Sequence, residues 1–346
     1  MWKLNYDPRE IDAYPLMCKK FFKWGIIGCG KIAGQFAESL KILSDARLYA
    51  VASRSEEKAQ KFCASYGAEK WFGSYELLMK DPEVDAVYIA TPHNVHFDNS
   101  LLCIQHKKAV LCEKPFTVNA VETKKLIEAA RQQRVFLMEA FWTRFLPSTL
   151  KLNQLLSEGI IGQCKLLQAD FGYDMPFDAE HRSYNPDLAG GALLDVGIYP
   201  INFAQMIFKH DPYEISSAII QAPTGVDAQS AYIFKYTDGA LAVMNAAVNV
   251  ETLHNAWIYG SEGFIHIPEF FHAKTLHVQR IDGYKETFSV PFESTGYSYE
   301  ALEVMNCIAN NRVESTIMPL SETLRIMQLM DRIREQWGLT YPGERR

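Results

Sequence analysis

The stretch Phe22-Lys23-Trp24-Gly25-Ile26-Ile27-Gly28-Cys29-Gly30-Lys31-Ile32-Ala33 decides the fold, because a short apolar run passes through a glycine-rich hexad into the helix-compatible segment Gly34 to Leu43. Strand, turn and helix in that order make the first half of a βαβ unit. Gly28 permits the tight turn, Gly30 lets the backbone approach a pyrophosphate, and Ala33 still allows close packing of helix on strand. The pyrophosphate would rest on the helix N-terminus beside Lys31 and Ile32, where unpaired N–H groups and the helix dipole favour an anion.

Outward from this hexad, the β-rich runs Leu48 to Ala52, Val84 to Ala90 and Ala109 to Cys112 alternate with longer helical stretches as far as about Met138. Such alternation implies right-handed crossovers and a parallel sheet covered on both faces. Residues 21–140 therefore read as a doubly wound α/β domain of Rossmann type. After about Leu150 strand-like runs follow one another directly: Lys165 to Tyr173, Ile215 to Gln221, Ala231 to Tyr236, Leu241 to Val250, Ala256 to Tyr259, Phe264 to Ile267, Thr275 to Ile281 and Glu286 to Val290. Asp238-Gly239, Gly260 to Gly263 and Asp282-Gly283 lie between them and can supply the positive φ of hairpin turns. Residues 141–346 read as an α+β domain for substrate and dimerisation, with a large open, mainly antiparallel sheet. Two helices close the chain and are expected to pack back on the first domain. The last one runs from Ser321 as N-cap to Gly338.

The composition bounds the function. The chain has 346 residues, 48% apolar and 22% charged, which suits two folded domains rather than a disordered chain. A formal charge of −6 and the lack of a basic run speak against a nucleic-acid surface. Its seven cysteines are scattered, without CxxC or metal-ligand spacing, so a reducing, cytoplasmic setting and no metal are expected. The richest apolar run, Gly190 to Phe208, is interrupted by Asp195, Asn202 and Gln205 and is not expected to enter a membrane. Residues 1–20 hold Asp7, Pro8, Arg9, Glu10, Asp12 and Pro15 and read as an extension rather than a secretory signal, with Met17 an alternative start.

At the end of the second strand, Ser53-Arg54-Ser55 stands where a fold preferring NAD usually carries an acid for the ribose 2′-hydroxyl. Arg54, the serine hydroxyls and Lys58 suit a 2′-phosphate instead, so NADP is expected over NAD. The competing reading has Arg54 solvated and Glu56 or Glu57 on the ribose, giving an NAD enzyme. Ligands in open parallel sheets lie beyond the carboxyl ends of the strands. Thr91-Pro92-His93-Asn94-Val95-His96 and Glu113-Lys114-Pro115 follow two such ends. Further on, Gly190-Gly191 opens a helical stretch to about Phe208, on which Asp195, Tyr199 and Asn202 share one face and Leu194, Ile198 and Ile201 another. Oxidising a secondary alcohol needs a base, and a phenol titrates too high to serve at neutral pH unless a nearby ammonium favours phenolate. Lys114 supplies such an ammonium to Tyr199, while Asp195 would orient substrate hydroxyls or the pair. Trp142 reads equally as core or pocket wall. The loop His181-Arg182-Ser183-Tyr184-Asn185-Pro186 reads as either a pocket wall or a surface loop.

These elements, in this order and at this spacing, resemble the Gfo/Idh/MocA oxidoreductases: Gly28-x-Gly30-x-x-Ala33, Thr91-Pro92 with His96, Glu113-Lys114-Pro115, and Gly190-Gly191 followed by Asp195-x-x-x-Tyr199. The resemblance covers nearly everything from Phe22 onward. Met138 to Phe145 and Ala192 to Tyr199 look closest to the dimeric dihydrodiol dehydrogenase and D-xylose dehydrogenase branch. It implies hydride transfer between nicotinamide and a sugar, polyol or vicinal diol, with Lys114 and Tyr199 at the family's catalytic positions. Thr91, Pro92, His93, His96, Glu113 and Arg144 are expected near the cofactor, and Lys114, Trp142, Asp195 and Tyr199 near the substrate. Tyrosine at 199, where many relatives carry histidine, argues against an inositol dehydrogenase. The rivals are an NAD-linked sugar dehydrogenase, a glucose-fructose type enzyme that retains its nucleotide, and a non-catalytic dinucleotide-sensing regulator. A sheet face with too few helices to cover it implies a homodimer or homotetramer.

Overall fold

A computed structural model of the chain describes residues 21–344. The expected N-terminal extension and the Met17 start therefore lie outside the described residues.

The first layer set comprises β1 (Phe22–Ile27), α1 (Lys31–Leu40), β2 (Ala46–Ala52), α2 (Glu56–Tyr66), β3 (Lys70–Phe72), α3 (Tyr75–Met79), β4 (Ala86–Ile89), α4 (His96–Gln105), β5 (Ala109–Glu113), α5 (Ala120–Gln133) and β6 (Leu137–Ala140). Its six strands are parallel in the order β3-β2-β1-β4-β5-β6, the Rossmann arrangement in which the order reverses between β1 and β4. The strands read as nearly continuous apolar runs because helices cover both faces: Ile26, Tyr88, Leu111 and Met138 enter one core, Ile27, Val87, Val110 and Leu137 the other. The helix α1 begins at Lys31, not Gly34, so the phosphate loop feeds the helix without a break.

The second set comprises α6 (Pro147–Ser157), β7 (Cys164–Gly172), α7 (Ile198–Phe208), β8 (Glu214–Gln221), β9 (Asp227–Lys235), β10 (Leu241–Ala247), β11 (Ala256–Gly260), β12 (Gly263–Ile267), β13 (Thr275–Arg280), β14 (Lys285–Ser289), α8 (Ser298–Ala309) and α9 (Leu320–Trp337). Eight strands run in the order β14-β13-β12-β11-β7-β10-β9-β8, antiparallel except where β10 lies parallel to β7. Gly239 and Gly283 adopt the expected positive φ, but Gly260 and Gly263 do not. They are glycine for space, since a β carbon would meet Ile161 O at 2.1 Å and Gln279 O at 2.3 Å. The final helix begins one residue before Ser321, because Pro319 ends the preceding loop and Glu314 accepts the Leu320 N–H at 3.0 Å. The helix α9 returns to the first sheet: Asp331 accepts from Ala120 N–H at 2.8 Å, and Leu320 joins the core beneath α5. Within the apolar segment Pro186–Phe208, every residue from Ala189 to Phe208 is buried in the protein.

Candidate active site

At the end of β1, Gly28 has φ of +91°, and a β carbon there would lie 2.5 Å from the Ala90 carbonyl beyond β4. Conformation and space both demand glycine. Gly30 is different: its φ is −94°, and nothing lies within 4 Å of where its β carbon would stand. The helix α1 opens with no side-chain cap and no acid in its first turn. Its N-terminal N–H groups and dipole are thus left for an anion, with Lys31 and Ile32 exposed beside them and Ala33 buried against the strand. This cradle fits a dinucleotide pyrophosphate.

Beyond β2, Ser53 Oγ accepts from Ser55 N–H at 3.2 Å, and Ser55 Oγ caps α2 by accepting from Lys58 N–H at 3.3 Å. Arg54 is exposed beside the Tyr75 phenol, which burial pushes up while Arg54 opposes. Burial pushes the Cys29 thiol up to about 11 against the field of Lys58, which places Lys58 beside the phosphate loop. Arg54 and Lys58 thus flank the end of β2, where the ribose of a bound dinucleotide lies.

Beyond β4, Thr91 and Pro92 lead into a short turn bearing His93. The buried His96 ring sits between two backbone carbonyls, Pro115 O at 2.8 Å from Nδ1 and Thr91 O at 2.8 Å from Nε2. Set between these carbonyls, His96 bridges the loops after β4 and β5, and its fully buried ring does not open to the crevice. Arg144 is also engaged internally: Nε donates to Asn202 Oδ1 at 2.6 Å and Nη2 to Glu322 at 2.8 Å, joining α7 to α9. Asn202, expected on one face with Asp195 and Tyr199, is thus engaged by Arg144.

Lys114, Asp195 and Tyr199 meet where the end of β5 faces the turn before α7. Residues Leu193–Gly197 form one wide π-helical turn, so Asp195 and Tyr199 are separated by a widened turn rather than an α-helical one. Lys114 Nζ donates to the Asp195 carbonyl at 2.5 Å and lies 3.2 Å from its Oδ1. The same ammonium stands over the Tyr199 ring, 5.0 Å from its centroid. Trp142 Nε1 donates to the Tyr199 hydroxyl at 3.1 Å, and Phe141, Phe171 and Phe271 surround that ring with centroids 5.2, 5.0 and 5.8 Å away. Glu113 accepts from the Tyr88 hydroxyl and, at 3.1 Å, from the Lys114 N–H.

Asp195 is the electrostatic hub. Its carboxylate takes Lys114, Arg182 Nη1 at 3.1 Å and the Tyr173 hydroxyl at 2.6 Å, with His93 Nε2 at 4.0 Å. Burial would raise this carboxyl, but the Lys114 and Arg182 cations and the Tyr173 hydroxyl bond outweigh it and hold it well below the usual range. Burial presses His93 down to about 3, so it is neutral here. Burial likewise presses on Lys114, yet the Asp195 carboxylate beside it wins and the ammonium is stabilised. For Tyr199 the balance differs from expectation. Burial raises its phenol further than Lys114 and Trp142 pull it down, so the resting group is a protonated donor.

Tyr173 is a site residue that the sequence reading misses, whereas Arg182 belongs to the loop that reads as either a pocket wall or a surface loop, and the structure brings it to Asp195. Tyr173 follows the last residue of β7, a strand-end position, and Arg182 sits in the donor-rich loop before Gly190. For Tyr173 the sequence signal is position alone and for Arg182 the cluster of donors in its loop, and the fold supplies their convergence on Asp195.

A nucleotide cradle on a Rossmann sheet, opening toward a buried lysine, carboxylate and phenol, defines a dinucleotide-dependent oxidoreductase. The chain belongs to the Gfo/Idh/MocA family: residues 22–141 match the oxidoreductase family with the NAD-binding Rossmann fold, and residues 149–266 match the GFO/IDH/MocA C-terminal domain. It is 37% identical over 334 residues to trans-1,2-dihydrobenzene-1,2-diol dehydrogenase of Xenopus tropicalis, covering 92% of this chain and 99% of the relative. The Homo sapiens enzyme of that name is 34% identical over 335 residues, covering 94% and 99%. Among solved structures, levoglucosan dehydrogenase with NADH and levoglucosan superposes with a TM-score of 0.83 at 18% identity, covering 92% of this chain and 97% of that one. A 3-ketoreductase from Actinomadura kijaniata with NADP and TDP-benzene gives 0.81 at 24%, covering 91% and 97%. These two share the fold.

Proposed function

We propose that this protein is an NADP-dependent dehydrogenase that oxidises one carbon of a vicinal diol, or reduces the corresponding hydroxyketone, with Tyr199 as acid/base and Lys114 beside it. The observation that carries the reading is the Lys114 ammonium, held by Asp195 against the face of Tyr199. The names of the relatives, all diol dehydrogenases of 33–38% identity, support the substrate class. The phenylalanines around Tyr199 suit a carbocyclic diol better than a sugar hydroxylated all round.

The cradle at Gly28, Gly30 and α1 would hold the pyrophosphate, and Arg54 and Lys58 the 2′-phosphate. When bound, the dinucleotide supplies or accepts the hydride. Toward reduction, Tyr199 gives its proton to the developing alkoxide, and Lys114 stabilises the phenolate left behind. Toward oxidation, the same phenolate takes the alcohol proton. Asp195 holds Lys114 in place, and with Tyr173 and Arg182 it orients the second hydroxyl. Glu113 is buried, which pushes its carboxyl up, and it accepts the Lys114 N–H at 3.1 Å.

The uncovered sheet face exposes Ile220, Ile233 and Val243, with the ring stack of Trp257 and His266 beside them, and supports a homodimer through that face. A cytoplasmic location goes with this reading.

The test is steady-state turnover of trans-dihydrodiols, aldoses and polyols with NADP and with NAD. A diol oxidised with a higher kcat/KM for NADP is expected. No NADP-dependent turnover across the panel, or wild-type turnover by Tyr199→Phe, would overturn the assignment.

A further inference from the structure

Beneath the turn that carries Asp195 lies a buried carboxyl group that the proposed reaction does not use. Asp227 opens β9, and a register shift pairs Ile220 with Gln229 but Gln221 with Asp227. The extra residue breaks the alternation of faces, so Asp227 and Ala228 both turn inward and are buried. Asp227 Oδ2 accepts the Leu193 N–H at 2.6 Å and lies 3.4 Å from Ser230 Oγ. Its Oδ1 has no hydrogen-bond partner. That oxygen stands 2.1 Å from where a β carbon on Gly191 would be, and Gly191 itself has φ of +111°. From the other side, the Tyr341 hydroxyl donates to the Gly190 carbonyl at 2.9 Å.

A carboxyl group buried with one oxygen unpaired is a poor stabiliser of a fold. Its placement does something else: it fills the hollow under Gly191 and grips the first N–H of the wide turn. Two residues beyond Leu193 is Asp195, and four further is Tyr199. A shift of the turn would carry both away from Lys114, which is anchored on a different strand.

We infer that Asp227 is a positioning residue, fixing the wide turn through Leu193 N–H and Gly191 so that Asp195 and Tyr199 meet Lys114. The inference rests on the reaction proposed above. Tyr341 steadies the same turn at Gly190.

The experiment compares Asp227→Ala, Asp227→Asn and Tyr341→Phe in the full chain, measuring kcat, NADPH affinity by nicotinamide fluorescence, and amide exchange over residues 191–199. In Asp227→Ala, kcat should fall by more than about tenfold, because small misplacements of reacting groups cost that much. NADPH affinity should stay unchanged and exchange over 191–199 should quicken. Asp227→Asn retains an oxygen for the Leu193 N–H, so its kcat should stay within about threefold of wild type. A folded Asp227→Ala protein with wild-type kcat, or an Asp227→Asn protein as impaired as the alanine variant, would overturn the inference. If the alanine variant does not fold, Tyr341→Phe decides: kcat lower by about threefold at unchanged NADPH affinity supports the inference, and an unchanged kcat overturns it. Should the wild-type protein turn over no diol or sugar, the proposed reaction fails. The exchange rates over 191–199 would then still test whether Asp227 holds the turn.

Discussion

Replacing Lys114 by Met keeps an unbranched stem in the same packing and removes one charge. In the native site that charge stands 5.0 Å from the centre of the Tyr199 ring. At an effective dielectric constant of about 20, two unit charges at this distance interact by about 3 kcal/mol. Since one pKa unit is worth about 1.4 kcal/mol, the phenol of the variant should titrate about two units higher. Burial already raises that phenol, so the variant enzyme would hold about a hundredfold less phenolate at any pH below its midpoint. The oxidation rate should fall by at least the same factor. The assay is the pH profile of kcat for diol oxidation, followed by nicotinamide absorbance, with NADP affinity measured separately. The ascending limb, on which the phenolate forms, should move up by about two units, and NADP affinity should change little. An unmoved limb, with kcat within about threefold of wild type, would refute the claim that the ammonium tunes the phenol.

Other perturbations separate the cofactor site from the fold. Gly30→Ala should leave stability within about 1 kcal/mol, because the added carbon meets open space, yet weaken NADP binding. Gly28→Ala forces a β carbon onto Ala90 O at positive φ and should cost about 1–3 kcal/mol, read by chemical denaturation. Arg54→Ala should weaken NADP binding by about tenfold and leave NAD binding and kcat unchanged, as expected for the loss of one charge-assisted phosphate contact; equal losses for both nucleotides would refute the 2′-phosphate assignment. His93 is held neutral by burial, its pKa near about 3 against about 6.5 in an unfolded chain. Its contribution is complete above about pH 6.5 and is lost as pH falls, by about 2 kcal/mol at pH 5. In denaturation at pH 7 and pH 5, His93→Asn should remove about that much of the loss, and an unchanged difference would count against it.

The sequence alone determined much of the local grammar: the four β-rich runs from Trp24 to Cys112 and their parallel, helix-covered arrangement, and a tight glycine turn at Gly28 before a helix, whereas the short strands Lys70–Phe72 and Leu137–Ala140 appear only in the structure. Those outcomes depend on residue spacing and backbone conformation, which are local properties. The sequence also singled out Lys114, Asp195 and Tyr199, because their types stand out on otherwise apolar elements. What the tertiary structure decided was partnership. His96 and Arg144 carry polar groups that could serve a cofactor, but burial obliges each to find internal partners, and the fold provided Thr91 and Pro115 for one and Asn202 and Glu322 for the other. Tyr173 and Arg182 came to Asp195 from a strand end and a loop. The resting state of Tyr199 was likewise undecidable from the chain, because spacing names the ammonium that lowers a phenol's pKa but not the burial that raises it. Desolvation depends on everything packed around a group, and only the folded protein fixes that.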